Sequence, residues 1–224
     1  MAVRRIKRAE GLSARVRQEI EQMIYAGDLP PGSRVNEYAL AEQFGVSRGP
    51  VREATRALVE AGLLIADPGR GAFVRQMSEV EVAETYDVRA LLTGLLCSRA
   101  AERRTEAELR QLEIFVEKME EAIAAGQIAE YYRVNVDFHA LINRIADHGC
   151  AQRIYNDLIR ETHSLRRSLS SPGETNSEHR AIVDAIRRGD AAEARRLGEE
   201  HVLHGKKRWR ESLQATVPAA ASGF

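Results

Sequence analysis

The sequence predicts a mainly α protein in two parts: three helices with a small β-hairpin, then an all-α bundle of six or so helices. Three observations predict it. Apolar residues recur at the helical period through most of the chain. Strand chemistry is confined to LLIADPGRGAFV at 63–74, where two short apolar runs flank the turn signal Asp67-Pro68-Gly69-Arg70-Gly71. Beyond about residues 75–79 no strand signal remains. Residues 1–77 and 78–213 therefore read as separate domains, and 214–224, which include TVPAAASGF, as a disordered tail.

The elements follow in order. Leu12 to Ala26 is a helix with Val16, Ile20, Met23 and Ile24 on one face, ended by Gly27 and the rigid Pro30-Pro31-Gly32. A short helix runs from Glu37 to Phe44 and stops at Gly45. Ser47 is placed to cap a third helix that reaches Glu60, and Gly62 closes it. In the second part Ser78 to Arg103 is one long helix. Thr105 caps the next, and breaks at Gly126, near Gly149, at Ser171-Pro172-Gly173 and at Gly189-Asp190 separate the rest.

The 224 residues carry 33 Lys+Arg and 33 Asp+Glu, a net charge of zero. Residues 1–78 hold 12 basic against 9 acidic groups, leaving 21 against 24 for the remainder, so the head is basic and the body slightly acidic. Cys97 and Cys150 form no metal or redox motif and read as free thiols in a reducing cytoplasm. No apolar run approaches the roughly 20 residues that span a bilayer.

ALAEQFGVSRGPVREATRALVEAGLL places a helix, a turn at Gly45-Val46 and a second helix in succession, a helix-turn-helix. The start of the second helix offers free N–H groups and a positive dipole end to a phosphate, beside Ser47, Arg48, Gly49 and Pro50. Arg48, Arg52 and Arg56 recur every four residues and form a basic stripe suited to a major groove. Gly69 and Arg70 at the hairpin tip suit a close approach to a minor groove. The stretch AGDLPPGSRVNEYALAEQFGVSRGPVREATRALVEAGLL resembles the winged helix-turn-helix of GntR-family bacterial transcription regulators. The resemblance implies that positions Ser47, Arg48, Pro50 and Arg52 make or border the DNA contacts and that Gly69 is the wing glycine. Thr55 stands where leucine is commoner, and Tyr38 where some relatives place a DNA-contacting arginine.

In the body, three histidines fall on three helices: His139 in DFHALI, His179 in SEHRAIVDAI and His201 in GEEHVLHG. Each has apolar neighbours three or four positions away and so can point inward, and imidazole is a common ligand of divalent metals in helical bundles. Asn135 lies one turn before His139. The alternative is that the histidines are satisfied polar core groups, bonded to one another or to water. The segments VRALLTGLLCSRAAERRTEAEL, NVDFHALI and SEHRAIVDAIRRGDAAEARRLGEEHV resemble the FCD ligand-binding domain of the FadR-like branch. That resemblance implies a divalent metal (zinc, nickel or manganese) on Asn135, His139, His179 and His201, and a cavity-facing Arg89 that meets a carboxylate effector. Arg89 could instead pair with Glu84 or Glu178. Asn135, a neutral oxygen where many relatives carry aspartate, implies weaker or altered metal affinity. His148, His163 and His204 are expected at the surface or behind the ligands, and the helix of His163 is expected also to face the cavity.

The expected function is a cytoplasmic, ligand-responsive repressor. A homodimer would bind a palindromic double-stranded operator and release it when a small organic acid enters the bundle, with no membrane partner and no catalysis. The alternatives are a metal-containing bundle enzyme and a metal-independent architectural DNA-binding protein. The first lacks an H-E-x-x-H base or a paired nucleophile, and the second leaves the polar-lined bundle without a purpose.

Overall fold

Two separate sets of apolar residues build two cores, one on each side of Ser78–Glu79, and the chain divides there into two units. The computed structural model describes residues 9–161 and 171–216. His163 lies outside the described residues, as does the tail beyond Thr216.

In the first unit α1 (Ala9–Ala26), α2 (Glu37–Gln43) and α3 (Arg48–Glu60) surround a core that includes Ile20, Leu40, Val51 and Leu58. The helix-turn-helix core follows the sequence pattern: Val51, Ala54 and Leu58 of α3 are buried with Leu40, and Phe44 packs against them. Thr55 is buried with its hydroxyl satisfied, donating to the Val51 carbonyl at 2.9 Å. The wing has one more strand than expected. β1 (Arg34–Val35) pairs with β3 (Gly71–Val74), which pairs with β2 (Leu64–Asp67), all antiparallel in the order β1-β3-β2. A two-residue strand has no period to read. Asp67 to Arg70 form the turn, with Arg70 N–H bonded to the Asp67 carbonyl at 3.0 Å. Pro68 and a Gly69 at φ 83° occupy its centre, the chemistry of a type II turn.

Two expectations are corrected. Ser47 stands at the N-cap of α3 in an extended conformation, but its side chain makes no cap bond. Pro50 sits at the third helical position and has no N–H, so the usual donor to a serine cap is missing. The tail does not begin at 214: the last helix continues to Thr216. From Lys206 to Thr216 no glycine or proline stands in the way of the helix.

The second unit holds six helices among the described residues: α4 (Glu79–Arg103), α5 (Glu106–Ala124), α6 (Ile128–Ala146), α7 (Gly149–Glu161), α8 (Pro172–Arg188) and α9 (Ala191–Thr216). Thr105 and Glu108 form a full capping box at the start of α5. Helix α9 lies along α4, while α5 packs on α6 and α8. The α4–α9 approach is close because it runs over glycines. A Cβ on Gly94 would stand 2.9 Å from the Arg195 carbonyl oxygen, and one on Gly198 would stand 2.9 Å from Cys97 Sγ. Burial pushes the Cys97 thiol up to about 12, so it stays neutral. The core runs through Leu96, Leu112, Met119, Phe138, Ile142, Ile182 and Ile186.

Candidate DNA-binding surface and candidate metal centre

On the head, Ser47, Arg48, Gly49, Arg52 and Arg56 are exposed and Pro50 is half-buried. The three arginines share one face of α3. Among the described residues none of them is engaged in an ion pair or side-chain hydrogen bond, and Glu53, the acid within the stripe, accepts from Ser13 of α1 instead. The stripe is thus open to an anionic partner. At the wing, Arg70 is three-quarters exposed, reaches Asp67 at 3.2 Å and covers the Phe73 ring at 5.5 Å. Strand β1 adds a residue that the sequence reading missed. Arg34 is exposed opposite Phe73, and its guanidinium flanks Gly71, so a second cation stands at the wing. Tyr38 is exposed on α2, whose N-terminus is capped by Asn36, accepting from the Tyr38 and Ala39 amides.

In the body three helices bring the imidazoles together. Helix α6 presents Asn135 and His139 one turn apart on the face that also buries Phe138 and Ile142. His179 comes from α8 and His201 from α9. One ligand atom from each histidine lies within 4.8 Å of the others, and all three rings are buried. Ring centroids are 5.2 Å apart for His139–His179, 5.2 Å for His139–His201 and 4.7 Å for His179–His201. Phe138 closes the side next to His179 at 4.7 Å. Asn135 is buried beside them, and its Oδ1 makes no hydrogen bond to any described residue. Asp137 points elsewhere and takes Arg133 at the surface.

Glu178 is the feature that sequence reasoning missed as part of the site. Its carboxylate takes His201 Nδ1 at 2.8 Å, His204 Nδ1 at 3.0 Å and the two terminal nitrogens of Arg208 at 2.9 and 3.2 Å. Burial alone would raise this carboxyl. The hydrogen bonds and charges of His201 and Arg208 outweigh burial and hold it at about 2. An ionised carboxylate can only accept, so Nδ1 of His201 carries a proton, and it is the neutral form of this ring that keeps a lone pair on Nε2 for a metal. A carboxylate behind a histidine in this way fixes the tautomer of a metal ligand. His204 is exposed and belongs to this outer ring, and His148 instead caps the start of α7 by accepting from the Ala151 amide.

The donor set fits a divalent cation: three convergent imidazoles, a buried amide oxygen and a carboxylate that orients one ring. Next to it is a cavity of about 70 Å³ whose lining includes Tyr86, Arg89, Asn135, Thr175, His201 and Arg208. Arg89 is buried on α4 with its guanidinium 4.9 Å from the Tyr86 ring centroid. Glu178, one of the two acids that the sequence offered to Arg89, holds His201, His204 and Arg208.

Comparison with known proteins agrees with this architecture. Residues 12–74 match the model of bacterial regulatory proteins of the gntR family, and residues 84–204 match the FCD domain. The chain is 34% identical over 190 residues to the HTH-type transcriptional regulator YdhC of Bacillus subtilis, with 83% of each chain covered. It is 31% identical over 194 residues to a probable D-xylose utilization operon transcriptional repressor of Paenarthrobacter nicotinovorans, with 85% of each covered. Among solved structures, Escherichia coli McbR/YncC superposes with a TM-score of 0.78 at 22% identity, over 90% of this chain and 98% of that one. No helix among the described residues is long and apolar enough to cross a membrane. The head that carries the arginine stripe and the bundle that carries the histidines are the two halves of one regulator architecture, and the chain belongs to the GntR family of DNA-binding transcription regulators, with an FCD domain as its body.

Proposed function

We propose that the protein is a cytoplasmic repressor that binds a palindromic operator as a homodimer and is released by a small organic acid. The observation that carries this reading is that one cavity joins Asn135 and His201 of the histidine cluster to the buried Arg89. Asn135, His139, His179 and His201 would hold zinc, nickel or manganese, which when bound supplies a Lewis-acidic point for a carboxylate oxygen. Arg89 supplies a planar, permanently charged donor for the same acid. Tyr86 stacks under Arg89 and fixes it, and Glu178 fixes His201. The volume of the cavity suits a small acid.

Operator contact falls to Ser47, Arg48, Gly49, Pro50, Arg52 and Arg56, with Gly69 and Arg70 at the wing. Two heads on a two-fold axis match a palindrome and give a footprint that one head does not. Arg89 lies in α4, whose first residue, Glu79, follows the head directly. An acid that draws Arg89 toward the histidines can therefore bias the position of α4 between two arrangements.

Elemental analysis of the untagged protein, before and after chelation, tests the reading beside His139→Ala. We expect one metal per chain in the wild type and none in the variant, with operator binding retained by both. Absence of metal after soaking with zinc, nickel and manganese would make the histidines hydrogen-bonding groups of a metal-free pocket.

A further inference from the structure

We propose that Arg34 acts with Arg70 to make the wing a two-arginine reader of a narrow, A·T-rich minor groove, so that the operator carries an A·T-rich segment beside each half-site. This rests on the operator reading above and adds to it a specificity-determining residue that lies outside both the recognition helix and the turn of the wing.

The sheet of the head has two faces. Val35, Leu64 and Val74 are buried in the core. Arg34, Phe73 and Ile65 stand opposite one another across β1, β3 and β2, and directly opposite residues of paired strands share a face, so these three lie on the outer one. Gly71, two residues from Phe73 on the same strand, lies on that face as well. Arg34 is paired with Phe73, yet its guanidinium lies over Gly71. A Cβ on Gly71 would meet Nε of Arg34 at 3.5 Å and Nη2 at 3.6 Å. The side chain therefore runs along the sheet toward the turn. Gly71 has φ 105°, a conformation that suits glycine, and its missing side chain leaves the surface that Arg34 crosses.

Arg70 reaches the same place from the turn itself. Its guanidinium covers the Phe73 ring at 5.5 Å and takes Asp67 at 3.2 Å, with three-quarters of the side chain exposed. Arg34 is exposed and forms no ion pair with any described residue. Two guanidinium groups thus gather at one end of a small sheet, with one acid between them. Like charges so placed repel, and a strongly negative surface offsets that repulsion. The minor groove of an A·T-rich segment is such a surface: it is narrow, its negative potential is enhanced, and it attracts arginine. Guanidinium suits it better than ammonium because it is more weakly hydrated. A G·C pair instead puts an amino group on the floor of that groove. The wing can therefore discriminate between the two kinds of pair without reading a major-groove edge.

The test uses the full-length protein and an operator that it selects from random duplexes. Binding is then compared on versions whose segments beside the half-sites hold A·T, G·C or inosine·C pairs. Inosine lacks the amino group of guanine, so inosine·C matches A·T in the minor groove and G·C in the major groove. We expect selection to enrich A·T in these segments, inosine·C to bind like A·T, and G·C to bind more weakly. Arg34→Ala should shrink the preference for A·T over G·C by roughly fivefold or more, the loss of one groove contact. Arg34→Gln, which keeps the length of the side chain, should do the same and replaces Arg34→Ala if that variant fails to fold. A selected operator with no preference beside its half-sites would overturn the proposal. So would an Arg34 variant, folded by circular dichroism, that weakens all three versions alike, because that is the mark of a phosphate contact. Failure to select any operator would remove the operator reading itself.

Discussion

Glu178 precedes His179 in the chain but serves His201, 23 residues later, and this gives the site a measurable acid response. The carboxyl is held at about 2 against an ordinary 4.5. A depressed folded-state value stabilises the fold at pH above the unfolded value, and that contribution is lost as pH falls through the folded one. The window is therefore about pH 4.5 down to about 2. The fall from 4.5 to about 2 corresponds to at most about 3.5 kcal/mol, at about 1.4 kcal/mol per pH unit. Urea unfolding of the metal-free protein should show Glu178→Gln less stable than wild type at pH 7, with the gap closing as the pH is lowered below 4.5. Curves that stay parallel would mean that the carboxylate adds nothing to the fold. The histidines were legible in the sequence because each sits at helical spacing from its own apolar neighbours. Glu178 was not, because its partners His201, His204 and Arg208 belong to another helix. The only local sign was their positions on one face of α9, and nothing in that spacing names the acid opposite.

At the scale of elements, period and punctuation carried most of the information. Helices α3, α5 and α6 could be read because their apolar faces recur every three or four residues and Gly62, Gly126 and Thr105 mark their ends. Strand β1 could not, since two residues have no period and it exists only by pairing with β3. The cap at Ser47 was misread because the donor depends on Pro50, three residues on. The arginine stripe of α3 was legible from spacing alone. Its contact with DNA can be measured on an operator selected from random duplexes. Arg48→Ala or Arg52→Ala should each cost roughly 1–3 kcal/mol if the residue reads a base, and relax the selected sequence at one position. A phosphate contact instead weakens all sequences alike and lowers the salt slope by about one. Unchanged affinity in both variants would take α3 out of the interface. Arg34 should be included, because β1 places it at the wing beside Gly71.

The whole molecule is two cores on one chain, and its function as a switch depends on how strongly they are coupled. One core contains Ile20, Val51 and Leu58, the other Leu112, Phe138 and Ile186, with no residue in common. Calorimetry of the full-length protein should therefore resolve two unfolding transitions. A ligand that binds only a folded site raises that unit's stability by mass action, about 2.7 kcal/mol at a hundred times its dissociation constant. Nickel with acetate should raise the transition of the bundle by several degrees, and operator duplex should raise that of the head. The informative sample holds both ligands. If the acid releases the operator, linkage requires that the duplex also weaken the acid, and the two increments must fall short of additive. Full additivity would leave two independent modules and no repression switch. A single transition that moves with either ligand would show that the halves unfold as one unit. The coupling would then lie in the folded structure as a whole and not in a shift of α4 alone.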